Sequence, residues 1–200
     1  LNDSGKASRG NDGPEGSLYT ANYRSAKAKG KYTLCGKEAG EEYRPAFTFY
    51  GFRYVELTAD DDIELLAFRC DVVGSDNQET GYIETSDPDV NRLFRNILWG
   101  QRGNYLSVPT DCPQRDERLG WTGDTQVFAC TAAYNANVCA FFHKWLQDAR
   151  DSQREYGAFP DVIPRSRVVG EGGAAWSDAG IIVPYIIYKM YGDLSILEEC

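Results

Sequence analysis

The sequence predicts a two-part chain, β first and α second. Three observations predict it: period-two alternation within the first 75 residues, apolar stripes at helical spacing after them, and long Gly- and Pro-rich loops between the helical stretches. Strands followed by runs of helices point to two separate domains, 1–75 and 76–200, and not to interleaved βαβ units.

The β elements come in order. Lys31 to Cys35 is a short strand candidate ended by Gly36. Phe47 to Tyr50 and Phe52 to Leu57 alternate, and Gly51 between them suits a bulge. Ile63 to Val73 gives a further strand. Leu1 to Gly16, rich in Gly, Asn, Asp and Ser, reads as loop or a ragged edge.

The pattern changes near Ser75. Asp87 as N-cap places Pro88 at the first helical position, where its missing N–H costs nothing. Val90, Leu93, Phe94, Ile97 and Leu98 then form one apolar face, and the same spacing recurs at Val138, Phe141, Phe142, Trp145 and Leu146. Trp99 and Trp145 lie on these patterns and are assigned to the core. A third helix is predicted over Asp124 to Tyr134. A fourth runs from Ser177 to Tyr191, kinked at Pro184 and stopped by Gly192, with Asp193 starting another. The intervening loops, 102–122 and 156–176, collect at one end of such an array and are where a site is expected.

Composition narrows the chemistry. Aromatic residues number 26 and hydrophobic residues make up 42%, enough for a core. A net charge of −9 argues against nucleic acid or an anionic membrane surface as partner. No apolar run approaches the ~20 residues of a membrane span. The six cysteines show no metal spacing and read as free, mostly buried thiols. With His143 as the only histidine, inside an amphipathic pattern, neither a zinc site nor a Ser-His-Asp or Cys-His set is expected. Acid–base chemistry by carboxylates becomes the default for an enzyme. No metal and no cofactor is implied.

One stretch concentrates that chemistry. Pro109 to Asp124 packs four carboxylates (Asp111, Asp116, Glu117, Asp124), two arginines (Arg115, Arg118) and Trp121 into sixteen residues, with Pro and Gly to fix the backbone. An acid, a base and a flat apolar plate are what glycoside hydrolysis requires.

These residues resemble the bacterial and fungal α-L-rhamnosidases of glycoside hydrolase family 78. Glu42 to Val55 is similar to the strand pair that closes the family's β-sandwich, Gly100 to Asn104 through Asp124 to its signature loop, and Gly157 to Pro164 with Trp176-Ser177-Asp178-Ala179 to its next active-site loop. The resemblance implies a β-sandwich segment followed by the first helices of an (α/α)6 barrel. It implies an inverting hydrolase that releases terminal α-L-rhamnose from a small-molecule glycoside or a rhamnose-bearing polysaccharide.

The resemblance also implies roles. Glu117, in Arg-Asp-Glu-Arg-Leu-Gly-Trp, is the general acid; a salt-bridge role beside Arg115 or Arg118 stays open, and neighbouring Asp116 is its rival. Asp111 and Asp124 bind sugar hydroxyls, with helix N-capping an alternative for Asp124. Arg115 donates to a hydroxyl or serves a structural ion pair. Trp121 and Trp176 wall the pocket against the 6-methyl group, or else pack as core. Asp178 binds substrate or caps the following helix, and Cys112 is structural. The family's base is a Glu from a later loop with no counterpart in residues 1–200, so the isolated segment is expected to be inactive and poorly folded.

Overall fold

The computed structural model describes residues 1–2, 13–60, 62–167 and 169–200. The expected loop at the start falls largely on residues 3–12, outside the described residues. The chain forms two units: Leu1–Asp71 with Pro113–Asp116, and Val72–Cys112 with Glu117–Cys200.

In the first unit the predicted strands are not seen as paired strands among the described residues. Its described residues contain one 3-10 turn, Ala21–Tyr23, and no strand. Alternation specifies which side chains share a face; a strand also needs a second backbone at hydrogen-bonding distance. None pairs with these segments among the described residues, and Leu57, Leu65, Leu66 and Phe68 stay exposed. Gly51 answers a different need from the expected bulge. A Cβ there would come 2.6 Å from the Gln114 Cβ, so glycine permits a close approach of two segments. Local order comes from polar closure instead. The Glu41 carboxylate accepts from Tyr32 Oη at 2.7 Å, Cys35 N at 2.7 Å and Lys37 N at 3.1 Å, and Tyr32 stacks on Tyr43 at 4.8 Å.

The second unit is helical: α1 (Pro88–Asn104), α2 (Thr122–Asn135), α3 (Cys139–Ser152), α4 (Ala179–Tyr191) and α5 (Ser195–Glu199), with a small antiparallel pair, β1 (Tyr105–Leu106) and β2 (Val108–Pro109), after α1. Asp87 caps α1 as expected, its Oδ1 accepting from Asp89 N at 2.8 Å and Val90 N at 3.5 Å, with Pro88 at the first turn. Ser107, at φ 65°, turns the chain between β1 and β2. Gly192, at φ 69°, ends α4 in the left-handed conformation that glycine adopts without a Cβ penalty. Helix α4 runs through Pro184.

The core sits among α2, α3 and α4. Ala129 and Ala132 of α2, Phe142, Trp145 and Leu146 of α3, Val183 and Ile187 of α4 and Ile196 of α5 are buried together. Tyr105 joins them, stacked on Phe141 at 4.6 Å and edge-on to Phe142 at 5.9 Å. Trp145 is fully buried, as the spacing predicted, and its Nε1 donates to the Ile163 carbonyl at 3.3 Å. Trp99 is a correction: it is 54% exposed, with the Arg102 guanidinium 4.5 Å over its ring, and the residue that α1 buries is Gln101, not the tryptophan. The cysteines correct a second expectation. All six are free, but Cys35, Cys70 and Cys200 are exposed and the other three only half-buried.

Candidate active site

Two loops of the second unit converge on the start of α2. The first follows β2. Asp111 N–H donates to the Leu119 carbonyl at 2.9 Å and closes this loop on itself. Cys112 and Arg118 hold left-handed backbone at φ 51° and 54°, a conformation that costs a non-glycine residue about 1–3 kcal/mol and persists where the surroundings impose it. The second loop runs between α3 and α4. The Asp161 carbonyl accepts from Thr122 N and Oγ1, both at 3.0 Å, and Ile163 N–H donates to the Gly120 carbonyl at 2.9 Å. A Cβ at Gly120 would stand 2.1 Å from the Ile163 oxygen, so only glycine lets the two loops zip together.

The second loop is itself pinned. Asp161 Oδ1 accepts from Gly173 N at 3.0 Å, Ser177 Oγ donates to the Phe159 carbonyl, and Gln126 of α2 reaches the Ala175 carbonyl. The Trp176 indole lies against Gly123, its Nε1 2.9 Å from where a Cβ would project, so this glycine too is required by a close approach.

The carboxylates gather at this junction. Side-chain atoms of Asp111, Cys112 and Glu117 lie within 4.8 Å of one another. Cys112 Sγ donates to Asp111 Oδ2 at 3.1 Å, and Trp121 Nε1 donates to Glu117 Oε1 at 2.8 Å. Asp124, in the first turn of α2, has its carboxyl pushed above the usual range, first by burial, then by the Asp111 and Glu117 charges. Three carboxylates thus share one neighbourhood and can accept from several hydroxyls, while one of them is steered by an indole N–H. The Asp111, Cys112 and Glu117 atoms also offer two oxygens and a sulfur to a cation.

The predicted residues are distributed as follows. Asp111, Glu117, Trp121 and Asp124 come together, and Trp176 lies against the same end of α2. Asp124 is the third residue of α2, after Trp121 at the N-cap position, so the N-capping alternative does not hold. Asp178 precedes α4 without a side-chain capping bond; its Oδ2 accepts from Ala175 N at 3.0 Å and closes the turn that carries Trp176. Trp121 is half-buried and Trp176 40% exposed, so neither is a sealed core residue. Arg115 belongs to the first unit, where it is half-buried. Asp116 belongs there too. Its carboxyl is held below the usual range by the Ser25 hydroxyl, which favours the charged form and disfavours proton donation near neutral pH. Sequence reasoning took Trp121 for an apolar wall and missed its hydrogen bond to Glu117. It also missed Asp161, whose isolated position in the sequence carries no signal.

The comparisons with known proteins fall on the same residues. Residues 78–200 match the model of the bacterial α-L-rhamnosidase six-hairpin glycosidase domain, and residues 10–73 that of the bacterial α-L-rhamnosidase concanavalin-like domain. An α-L-rhamnosidase from Streptomyces avermitilis is 51% identical over 93% of this chain, which spans 18% of that relative; one from Formosa agariphila is 44% identical over 93%, spanning 20%. The chain thus covers about a fifth of the length of these curated relatives. Among solved structures, the Streptomyces avermitilis α-L-rhamnosidase complexed with L-rhamnose matches with a TM-score of 0.62 at 52% identity, over 63% of this chain and 12% of that one. The α-L-rhamnosidase from Dictyoglumus thermophilum matches with a TM-score of 0.61 at 43% identity, over 63% and 14%. With more than half of its residues matched by the glycosidase model, the chain belongs to the bacterial α-L-rhamnosidase six-hairpin glycosidase family.

Proposed function

We propose that this chain is the part of an inverting α-L-rhamnosidase that supplies the general acid and much of the sugar-binding wall. The reaction is release of terminal, non-reducing α-L-rhamnose from a small-molecule glycoside or a rhamnose-bearing polysaccharide. The observation that carries the reading is Glu117, set beside Asp111 and hydrogen-bonded by the Trp121 indole N–H at 2.8 Å. A general acid must be held within reach of the leaving oxygen, and the indole N–H helps fix the Glu117 rotamer through Oε1.

In this reading Asp111 and Asp124 accept hydroxyl hydrogen bonds from the sugar. Donors from substrate offset the burial, and then the Asp111 and Glu117 charges, that raise the Asp124 carboxyl. Trp121 and Trp176 supply apolar surface for the ring and its 6-methyl group, which discriminates against sugars with a hydroxymethyl. Arg115 donates to a hydroxyl and Asp178 approaches the substrate from the second loop. Residues 1–75 form the end of a β-sandwich domain, and 76–200 begin an (α/α)6 barrel. The base comes from outside these residues, so the segment alone is inactive.

Retaining glycosidases form a covalent intermediate on their second carboxylate, whereas inverting ones use it as the base for water. Nuclear magnetic resonance of the first-formed product separates the two: inversion yields β-L-rhamnose, retention the α anomer. Substrate class is tested by incubating the full-length protein with a panel of aryl glycosides. Turnover of the α-L-rhamnoside supports the reading; turnover of another glycoside only overturns the sugar assignment.

A further inference from the structure

Away from this site, Cys139 opens α3, His143 lies one turn on, and Asp193 follows the Gly192 stop of α4. The i, i+4 spacing puts Cys139 and His143 on one face of α3. Their ligand atoms and that of Asp193 lie within 4.8 Å of one another. His143 Nε2 is 2.7 Å from Asp193 Oδ2, and Cys139 Sγ is 4.0 Å from the same oxygen.

The carboxylate is oriented from behind. Ser195 N and Oγ donate to Asp193 Oδ1 at 3.1 and 2.6 Å, which leaves Oδ2 turned toward the histidine and the thiol. The two supporting elements are tied as well. Tyr191 Oη accepts from Val138 N and donates to the Ala136 carbonyl, each at 3.0 Å, so the end of α4 is fastened to the start of α3. His143 and Asp193 keep about 30% of their side chains exposed, enough for an ion to enter.

We propose that Cys139, His143 and Asp193 form a structural site for a borderline divalent cation of the zinc class. Zinc takes sulfur at about 2.3 Å and nitrogen or oxygen at about 2.0–2.2 Å in a tetrahedron, which sets S···O near ~3.6 Å and N···O near ~3.4 Å. The observed 4.0 and 2.7 Å reach those values by side-chain shifts of under ~1 Å. As the metal–sulfur bond forms, the Cys139 proton leaves to water; His143 binds as the neutral ring and water fills the fourth position. The Ser195 donors are the outer-shell support such a carboxylate ligand requires. The ion would clamp the start of α3 to the α4–α5 turn.

The test is titration of the full-length protein with Co2+ as a spectroscopic probe, followed by Zn2+ competition. The expected result is one equivalent bound, with a thiolate-to-cobalt charge-transfer band and the visible bands of a four-coordinate ion, both bleached by Zn2+. Cys139→Ser should abolish the charge-transfer band; Ser195→Ala, which removes no ligand, should weaken binding by about 10–100-fold. Circular dichroism checks that both variants stay folded. If Cys139→Ser unfolds, the Ser195→Ala affinity decides. Absence of the band, its survival in Cys139→Ser, or unchanged affinity in Ser195→Ala overturns the proposal.

Discussion

In α3, Phe142, Trp145 and Leu146 are sealed from solvent; in α1, Val90 and Leu93 are 43% and 59% exposed. The two helices carry the same apolar spacing, and each was recognisable from it. They differ in what lies opposite. Helix α3 meets α4, whose Val183 and Ile187 fill the space against it, while α1 meets α2 through the polar side chain of Gln101 and none of its apolar stripe joins the buried cluster. Periodicity therefore reports the face a helix prefers to bury, and the rest of the fold decides whether it is buried.

The largest expected effect separates these helices directly. Trp145→Ala removes a fully buried indole and its bond to Ile163, and should cost about 3–5 kcal/mol by chemical denaturation. Leu93→Ala on the exposed stripe should cost under ~1 kcal/mol. A loss of about 2 kcal/mol or more from Leu93→Ala in the full-length protein would show that another element covers α1.

Next comes the contact that zips the two site loops. Gly120→Ala drives a Cβ into the Ile163 carbonyl, a backbone atom with no rotamer to yield, and should lower stability by about 1–3 kcal/mol. The same change displaces Trp121, next in sequence, and should reduce kcat/KM by about 10-fold or more. Asp87→Ala, which removes the α1 cap, should cost about 1 kcal/mol and leave the site loops unaffected.

The smallest effect is a pH dependence. Glu171 is held below the usual carboxylate range, chiefly by Arg154 and then by Tyr156. A depressed carboxylate stabilises the fold above its unfolded pKa, and that contribution is lost as pH falls through the folded value. Wild-type melting temperature should therefore drop below pH about 4.5 more steeply than that of Glu171→Gln. Parallel curves would remove Glu171 from the account.

Local signals carried much of the helical unit: the Asp87-Pro88 start, the Gly192 stop and the aromatic face of α3 were all legible because each depends on neighbours in sequence. In the first unit the individual strand pairings were not, since alternation in Phe52 to Leu57 cannot name a pairing strand. The site lay between these cases. The density of charge around Glu117 and Trp121 marked it, yet the indole-to-carboxylate bond and the Asp161 bridge depend on how two distant loops meet. No spacing encodes that meeting. Gly120 admits the Ile163 carbonyl, a close approach that its place in the sequence does not announce.

In the proposed reaction Glu117 donates the proton to the leaving group. The decisive measurement is kcat/KM of the full-length protein and its Glu117→Gln variant on two rhamnosides, one with an activated aryl leaving group and one with a sugar or flavonoid. A general acid predicts a loss of about 10²–10⁴-fold on the poor leaving group and a much smaller loss on the activated one. Equal losses on both would contradict it and give Glu117 a structural role.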